Sequence, residues 1–373
     1  MKENATETYR KFAIGLVGPL PPPPGGMANQ LRQLARLLET DGQIVHVVRV
    51  NRPFKPAWIG KLRGVRALFR LVPYLMDLWR TAGRVDVMHV LANSGWSWHL
   101  FAAPAVWVAR ARSVPVIINY RGGGAQRFFE QSWWAVRPTM RRVDLVVVPS
   151  GFLRDVFMMF DTKAEVVPNI VNLSSFRSAD KASLSEKVYE PRLLVTRNLE
   201  AIYDNATAIR ALALVRDECP GATLTIAGDG PARAELQCLV SELGLDEAVK
   251  FTGRLDNQLL PSLYREADIM LNPSLTDNTP NSILESFATG VPVVSTRVGG
   301  IPYMVEDGKT ALLVEPGSPE DMSRAILRLC SEPELFSSLR QNALKHVKQF
   351  EWDQVRPILY ATYGRLCGRV MTP

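Results

Sequence analysis

Apolar residues in this chain fall into short continuous runs, separated by longer stretches in which they recur every three or four positions. Residues 11–18 form the first run, which ends in a Gly/Pro turn. Residues 27–39 follow, with Leu31, Leu34, Leu37 and Leu38 at helical spacing. The alternation continues through runs at 44–50, 85–91, 114–120, 144–149 and 165–167, most of them separated by helix-length segments. A polar stretch at 174–191 lacks apolar periodicity and reads as a linker. The pattern then restarts with runs at 193–196, 223–227, 249–252, 269–272, 293–296 and 311–314, with helices expected over 206–215 and from 231 and 281. Two final helical segments, 319–350 and 352–367, close the chain. Continuous apolar strands alternating with helices imply parallel sheets covered on both faces, here two in succession. The expected class is therefore α/β, with two Rossmann-like, doubly wound domains.

Length agrees, because 373 residues exceed one ordinary domain. Hydrophobic residues make up 47% and charged residues 22%, enough for sizeable cores and far from a disordered composition. Cys219, Cys238, Cys330 and Cys367 show no short paired spacing, which argues against a zinc site or a disulfide framework and fits a reducing cytoplasm. The first twelve residues carry five charges and no apolar core, unlike a signal peptide, and no run approaches the roughly 18 apolar residues of a membrane span. A soluble cytoplasmic protein is expected, able to rest on a membrane.

Charge is unevenly spread. Residues 1–180 hold 24 Lys and Arg against 12 Asp and Glu, whereas the remainder holds 20 against 25. Anionic partners are expected for the first half. Within it, residues 52–84 place eight basic residues, among them Lys61, Arg63, Arg66 and Arg70, among Trp58, Tyr74, Trp79 and other apolar side chains. This suits either the inner face of a membrane or a helix packed on a sheet with its charges outward. Nucleic acid is disfavoured, since no reading module is recognisable.

The densest chemistry lies at residues 272–302. A strand end leads through a polar loop into a helix whose first turn offers free backbone N–H groups, an anion site beside Asp277 and Glu285. Eight positions separate the two carboxylates, so they reach different parts of one elongated ligand.

On this segment the chain resembles the retaining glycosyltransferases of family 4, which have the GT-B fold of two Rossmann-like domains facing across a cleft. Further motifs follow in the family's order: Pro21 to Gly26, the strand and helix at 144–153, 167–172, Ile226 to Pro231, and Phe251 to Gly253. The resemblance implies domains at 1–173 (acceptor side) and 181–350 (donor side), with residues 351–373 a helix crossing back to the first. It assigns Asp277 to the donor sugar near the reaction centre and Glu285 to the nucleotide ribose. Gly25, Gly26, Arg197, Gly228, Gly253, Asn278, Asn281, Ser282 and Ile283 complete the donor site. It further implies a nucleotide-diphosphate sugar as co-substrate and transfer with retention of configuration to a glycan or lipid-linked glycan in polysaccharide or cell-envelope synthesis. No cofactor and no metal are expected.

Four positions depart from the family pattern. Aspartate stands at 277 in place of glutamate, Ile202 replaces a lysine that would neutralise the diphosphate, and Tyr303 replaces a glutamate. Arg121 occupies the position of a frequent histidine and is expected to restore the lost charge as a third catalytic residue beside Asp277 and Arg197. His89 and His99 lie beside apolar runs and read as packing residues. The alternatives are a catalytically silent GT-B subunit of a polysaccharide assembly complex and a nucleotide-sugar epimerase, for which no acid/base pair is identifiable.

Overall fold

A computed structural model describes residues 11–22, 25–52, 66–171, 176, 190–256 and 258–368, with 66–69 described through their backbone alone. The chain divides into two compact units, one made of residues up to Ile170 together with those from Trp352 onward, the other of Val171–Glu351. The linker expected at 174–191 falls almost entirely outside the described residues.

The first unit is a six-stranded parallel sheet in the order β2-β1-β3-β4-β5-β6. Its strands are β1 (Ala13–Gly18), β2 (Ile44–Arg49), β3 (Val87–Ala92), β4 (Val116–Tyr120), β5 (Leu145–Val148) and β6 (Ala164–Val166). Helices α1 (Gly26–Thr40), α2 (Arg66–Ala82), α3 (Ala103–Ala111), α4 (Ala125–Met140) and α5 (Gly151–Met159) connect them. Side chains alternate across each strand. Val17, Met88 and Val90 join one core with Leu78 of α2, Ala105 of α3, Phe129 of α4 and Phe157 of α5. Ile14, Leu16, Val87 and Leu91 join another with Leu31, Leu34 and Leu38 of α1.

The closing helix α13 (Trp352–Leu366) completes that second face. Its Leu359, Tyr360 and Tyr363 are buried there, Tyr360 stacked on Phe12, while the hydroxyl of Tyr360 and the indole of Trp352 both donate to Asp41 at 3.0 and 3.1 Å.

The second unit repeats the plan with the order β12-β11-β10-β7-β8-β9. Its strands are β7 (Arg192–Val195), β8 (Thr223–Ile226), β9 (Val249–Phe251), β10 (Ile269–Asn272), β11 (Val293–Thr296) and β12 (Leu312–Val314). Helices α6 (Asn205–Glu218), α7 (Arg233–Glu242) and α11 (Pro319–Ser331) pack on one side. Helices α8 (Leu260–Glu266), α9 (Asn281–Thr289) and α10 (Ile301–Met304) pack on the other. α12 (Pro333–His346) reaches both cores through Leu339 and Ala343.

Each strand lies within an expected apolar run or overhangs it by one residue. The single segment expected over 319–350 is instead two helices and a short 3-10 turn. Pro333 causes the break: its ring disfavours helical backbone in the preceding residue, and Glu332 is non-helical at φ −112° and ψ 83°.

Candidate functional site

The carboxyl ends of β7 and β10 carry the residues the sequence singles out in the second unit. Beyond Asn272 the chain enters a polar loop anchored at its start: Ser274 Oγ donates to Asn272 Oδ1 at 3.3 Å, and Thr296 Oγ1 donates to the Ser274 carbonyl at 2.6 Å. Leu275 N donates to the carbonyl of Ile202 at 2.8 Å, tying this loop to the one after β7. Ile202 itself is solvent-exposed.

Asp277 is fully engaged. It accepts from Arg197 Nη2 in an ion pair whose side chains retain only 13% and 11% exposure and from the N–H of Asn278 at 2.9 Å, and it lies 3.3 Å from Ser274 Oγ, whose single hydrogen it shares with Asn272 Oδ1. Arg197 lies over the ring of Tyr203, 4.1 Å from its centroid. The position next to the missing lysine thus supports the remaining cation instead of adding a second one.

Two glycines let these backbones meet. A Cβ on Gly228 would sit 2.0 Å from the Arg197 carbonyl, and one on Gly299, where φ is +50°, would sit 2.1 Å from the Asp277 carbonyl. Gly300 N donates to that same carbonyl at 3.0 Å. Gly228 therefore shapes the site by packing against Arg197.

α9 begins at Asn281 with Pro280 at its N-cap, no side-chain cap and no acidic residue in its first turn. Its first turn thus holds no acid that would compete with a bound anion, and the helix dipole favours one there. Ser282 Oγ, buried in this turn, and Arg197 Nε, also buried, lack a hydrogen-bond partner among the described residues. Asn278 and Ile283 are buried beside them.

One turn on, the Glu285 carboxylate accepts from Tyr264 Oη at 3.0 Å, and Tyr264 Oη lies 2.7 Å from Thr196 Oγ1. Since Tyr264 donates to Glu285, the threonine hydroxyl donates to the tyrosine, and the chain is directional. Burial pushes the Glu285 carboxyl above the usual carboxylate range, against the opposing pull of the Tyr264 hydrogen bond and of Arg197. Burial likewise raises the Tyr264 hydroxyl, so it remains a proton donor. Tyr264 and Tyr203 had no signal in the sequence, because each acts through a contact across more than one element.

The other expected residues lie on another turn of the second unit or in the first unit. Gly253, at φ +70°, forms the turn after β9, and a Cβ there would come nearest Arg233. Gly25 caps α1 and Gly26 opens it; nothing lies within 4 Å of a Cβ built on Gly25. Arg121 follows β4 in the first unit, where its neighbours are Asn119 and Asn169. His89 is fully buried, in keeping with a packing residue, but it also bonds Tyr363 and Asn119. Trp58, Lys61 and Arg63 lie outside the described residues, as does the side chain of Arg66; Arg70 is part-buried on α2.

Two parallel six-stranded sheets with helices on both faces are the plan of the GT-B fold. Solved structures agree: Anabaena Alr3699/HepE in complex with UDP superposes with a TM-score of 0.74 at 18% identity, covering 95% of this chain and 100% of that one. Sucrose-phosphate synthase from Thermosynechococcus elongatus does so at 0.73 and 19%, covering 96% and 100%. The family described as "Glycosyltransferase Family 4" matches residues 24–175 and "Glycosyl transferases group 1" matches residues 190–332. The chain belongs to this family and is a glycosyltransferase. Among its relatives, a D-inositol 3-phosphate glycosyltransferase of Corynebacterium jeikeium is 26% identical over 92% of both chains. The alpha-D-kanosaminyltransferase of Streptomyces kanamyceticus is 30% identical over 56% of this chain and 57% of its own.

Proposed function

We propose that this glycosyltransferase moves a hexose from a nucleotide-diphosphate sugar to a glycan or lipid-linked glycan, with retention of configuration and without a metal. The observation that carries the donor reading is two buried donors that lack a partner among the described residues, Ser282 Oγ in the uncapped first turn of α9 and Arg197 Nε on the loop after β7. A diphosphate supplies the acceptors they lack, and both the arginine and the helix amides favour its charge. Glu285, held by Tyr264, takes the ribose hydroxyls. Anabaena Alr3699/HepE is described with UDP, with UDP and glucose, and with UDP-glucose, which supports a donor of this class.

In this reading Arg197 leaves its exclusive pairing with Asp277 and shares its charge with the leaving diphosphate, whose oxygen takes the acceptor proton on the attacked face. The protein contributes orientation and fixed positive charge. The reaction then runs at full rate in EDTA.

A panel of UDP-, GDP- and ADP-sugars tests the donor site by thermal shift on the wild type and on Glu285→Gln, since selective binding to the folded state raises Tm. One nucleotide class should shift the wild type and shift the variant far less. Binding without turnover against any acceptor would favour the silent subunit; sugar-nucleotide conversion without acceptor would favour the epimerase.

Membrane contact belongs to the same proposal. Val72, Met76 and Trp79 form one exposed stripe along α2, and the Arg112 guanidinium lies 5.0 Å from the Trp79 ring centroid. On α3 the exposed Trp107 carries Arg142 at 4.0 Å. Interfacial indoles sheathed by guanidinium groups, in the basic half of the chain, suit an anionic bilayer surface.

A further inference from the structure

The loop between β7 and α6 carries Arg197 at its start and Tyr203 near its end, and it is held on three sides. Leu199 N donates to the Asp229 carbonyl at 3.2 Å, and the Leu199 carbonyl accepts from Ala232 N at 3.0 Å, which ties the loop to the one after β8. Leu275 N donates to the Ile202 carbonyl at 2.8 Å, which ties it to the loop that carries Asp277. Asn205 Nδ2, from the first turn of α6, donates to the Asn198 carbonyl at 3.1 Å and closes the loop across its base. A segment fixed in this way holds its side chains ready before a ligand arrives.

The end of the loop sets the direction of Tyr203. Ala201–Tyr203 form a 3-10 turn in which Tyr203 N donates to the Glu200 carbonyl at 3.0 Å. Asp204 follows in the left-handed region, at φ +41° and ψ +48°, a costly conformation for a residue with a Cβ. Thr207 holds it there: its Oγ1 donates to Asp204 Oδ2 at 2.6 Å and its N–H to the Asp204 carbonyl at 3.0 Å. Two neighbours thereby acquire different surroundings. Ile202 is 49% exposed, whereas the Tyr203 ring is part-buried with the Arg197 guanidinium over its face.

Packing alone does not account for a tyrosine here. A phenylalanine would offer Arg197 a ring face of the same kind. The Tyr203 hydroxyl makes no hydrogen bond with any described residue. Burial pushes it above the usual tyrosine range, against the opposing pull of Arg197, so it keeps its proton and serves as a neutral donor. Arg197 Nε, bonded to the carbon that lies over the ring, is a buried donor that likewise lacks a partner among the described residues. Because Arg197 is paired with Asp277, the two together bring no net charge to this place. An anion bound there depends on hydrogen-bond donors more than on excess positive charge.

We propose that the Tyr203 hydroxyl is a diphosphate-binding group of the donor site, donating a hydrogen bond to a phosphate oxygen of the nucleotide-diphosphate sugar. It takes over, as a neutral donor one position along, the contact that the resemblance assigns to a lysine at 202. Asp204 and Thr207 act through it as positioning residues. The inference rests on the donor reading above. No proton is transferred: the hydroxyl keeps its hydrogen, and its hydrogen bond strengthens as negative charge grows on the leaving diphosphate.

Calorimetric titration of UDP, GDP and ADP identifies the diphosphate that the wild type binds and then tests the hydroxyl on it. Tyr203→Phe keeps the ring under Arg197 and removes only the hydroxyl. It should weaken that diphosphate by about tenfold or more and leave Tm unchanged. Ile202→Lys should raise the affinity roughly threefold or more further in the Tyr203→Phe protein than in the wild type, because lysine and hydroxyl serve the same phosphate. This coupling decides the matter even if Tyr203→Phe also lowers Tm, since a tyrosine that only packs gives independent effects. Unchanged diphosphate affinity in Tyr203→Phe, or additive effects of the two substitutions, overturns the proposal and leaves the donor reading standing. A wild type that binds none of the three diphosphates overturns both.

Discussion

Tyr264 brings its hydroxyl to within 3.0 Å of the Glu285 carboxylate, and removing it deletes that contact together with those to Thr196 and the Ser282 carbonyl in the proposed donor site. Hydrogen bonds to charged groups contribute about 1.5–3 kcal/mol. Tyr264→Phe should therefore weaken donor binding by roughly 10- to 100-fold, measured by calorimetry, with the fold retained; unchanged affinity would remove Glu285 from the ribose. Gly299 makes a different demand. Its φ of +50° and the 2.1 Å approach of an added Cβ to the Asp277 carbonyl mean that Gly299→Ala displaces the loop carrying Asp277. A cost of about 1–3 kcal/mol in stability is expected from the strained backbone, together with a fall in kcat. The carboxylates were legible because their spacing and the following Gly-Gly turn are local features. Tyr264, Tyr203 and Tyr363 were not, since each earns its place through a contact 21, 6 or 274 residues away.

Elements show the same division. Strands were readable from local apolar runs, because a parallel sheet buried on both faces needs such runs uninterrupted. Helix ends needed stronger local signals, and Pro333 supplied one that the apolar periodicity of 319–350 concealed. The role of α2 could not be decided from sequence, since the same stripe of aromatics and arginines serves a membrane or a sheet. In the fold one face of α2 packs inward and another is exposed: Tyr74 and Leu78 are buried, while Val72, Met76 and Trp79 face outward. If the outward stripe meets lipid, Met76→Glu with Trp79→Glu should lower partitioning onto phosphatidylglycerol vesicles by tenfold or more without lowering Tm, and binding to neutral vesicles should be weak in every form. Equal sedimentation of wild type and double variant with anionic vesicles would confine α2 to packing.

At the scale of the whole molecule, one desolvated group in each unit responds to acid, and the two do so with opposite signs. His89 in the first unit is held neutral, its pKa lowered from 6.5 to about 3 by burial and then by the nearby Arg121 charge. A depressed basic group gives stability that is fully present above its unfolded pKa and is lost as pH falls through 6.5 toward the folded value. Glu285 in the second unit has a raised pKa, so its protonation favours the folded state and the unit regains stability as pH falls through that value. The first unit should therefore be the acid-sensitive one. His89→Gln removes the titrating ring while leaving an acceptor for Asn119, and at pH 7.5 it should be less stable than the wild type by about 1–3 kcal/mol. Below pH 6.5 that gap should close by up to about 1.4 kcal/mol for each pH unit, because only the wild type pays to keep an imidazole uncharged. Tm measured from pH 7.5 to 4 on both proteins decides the matter: converging curves place the acid sensitivity on His89, and parallel curves assign it to the surface carboxylates instead.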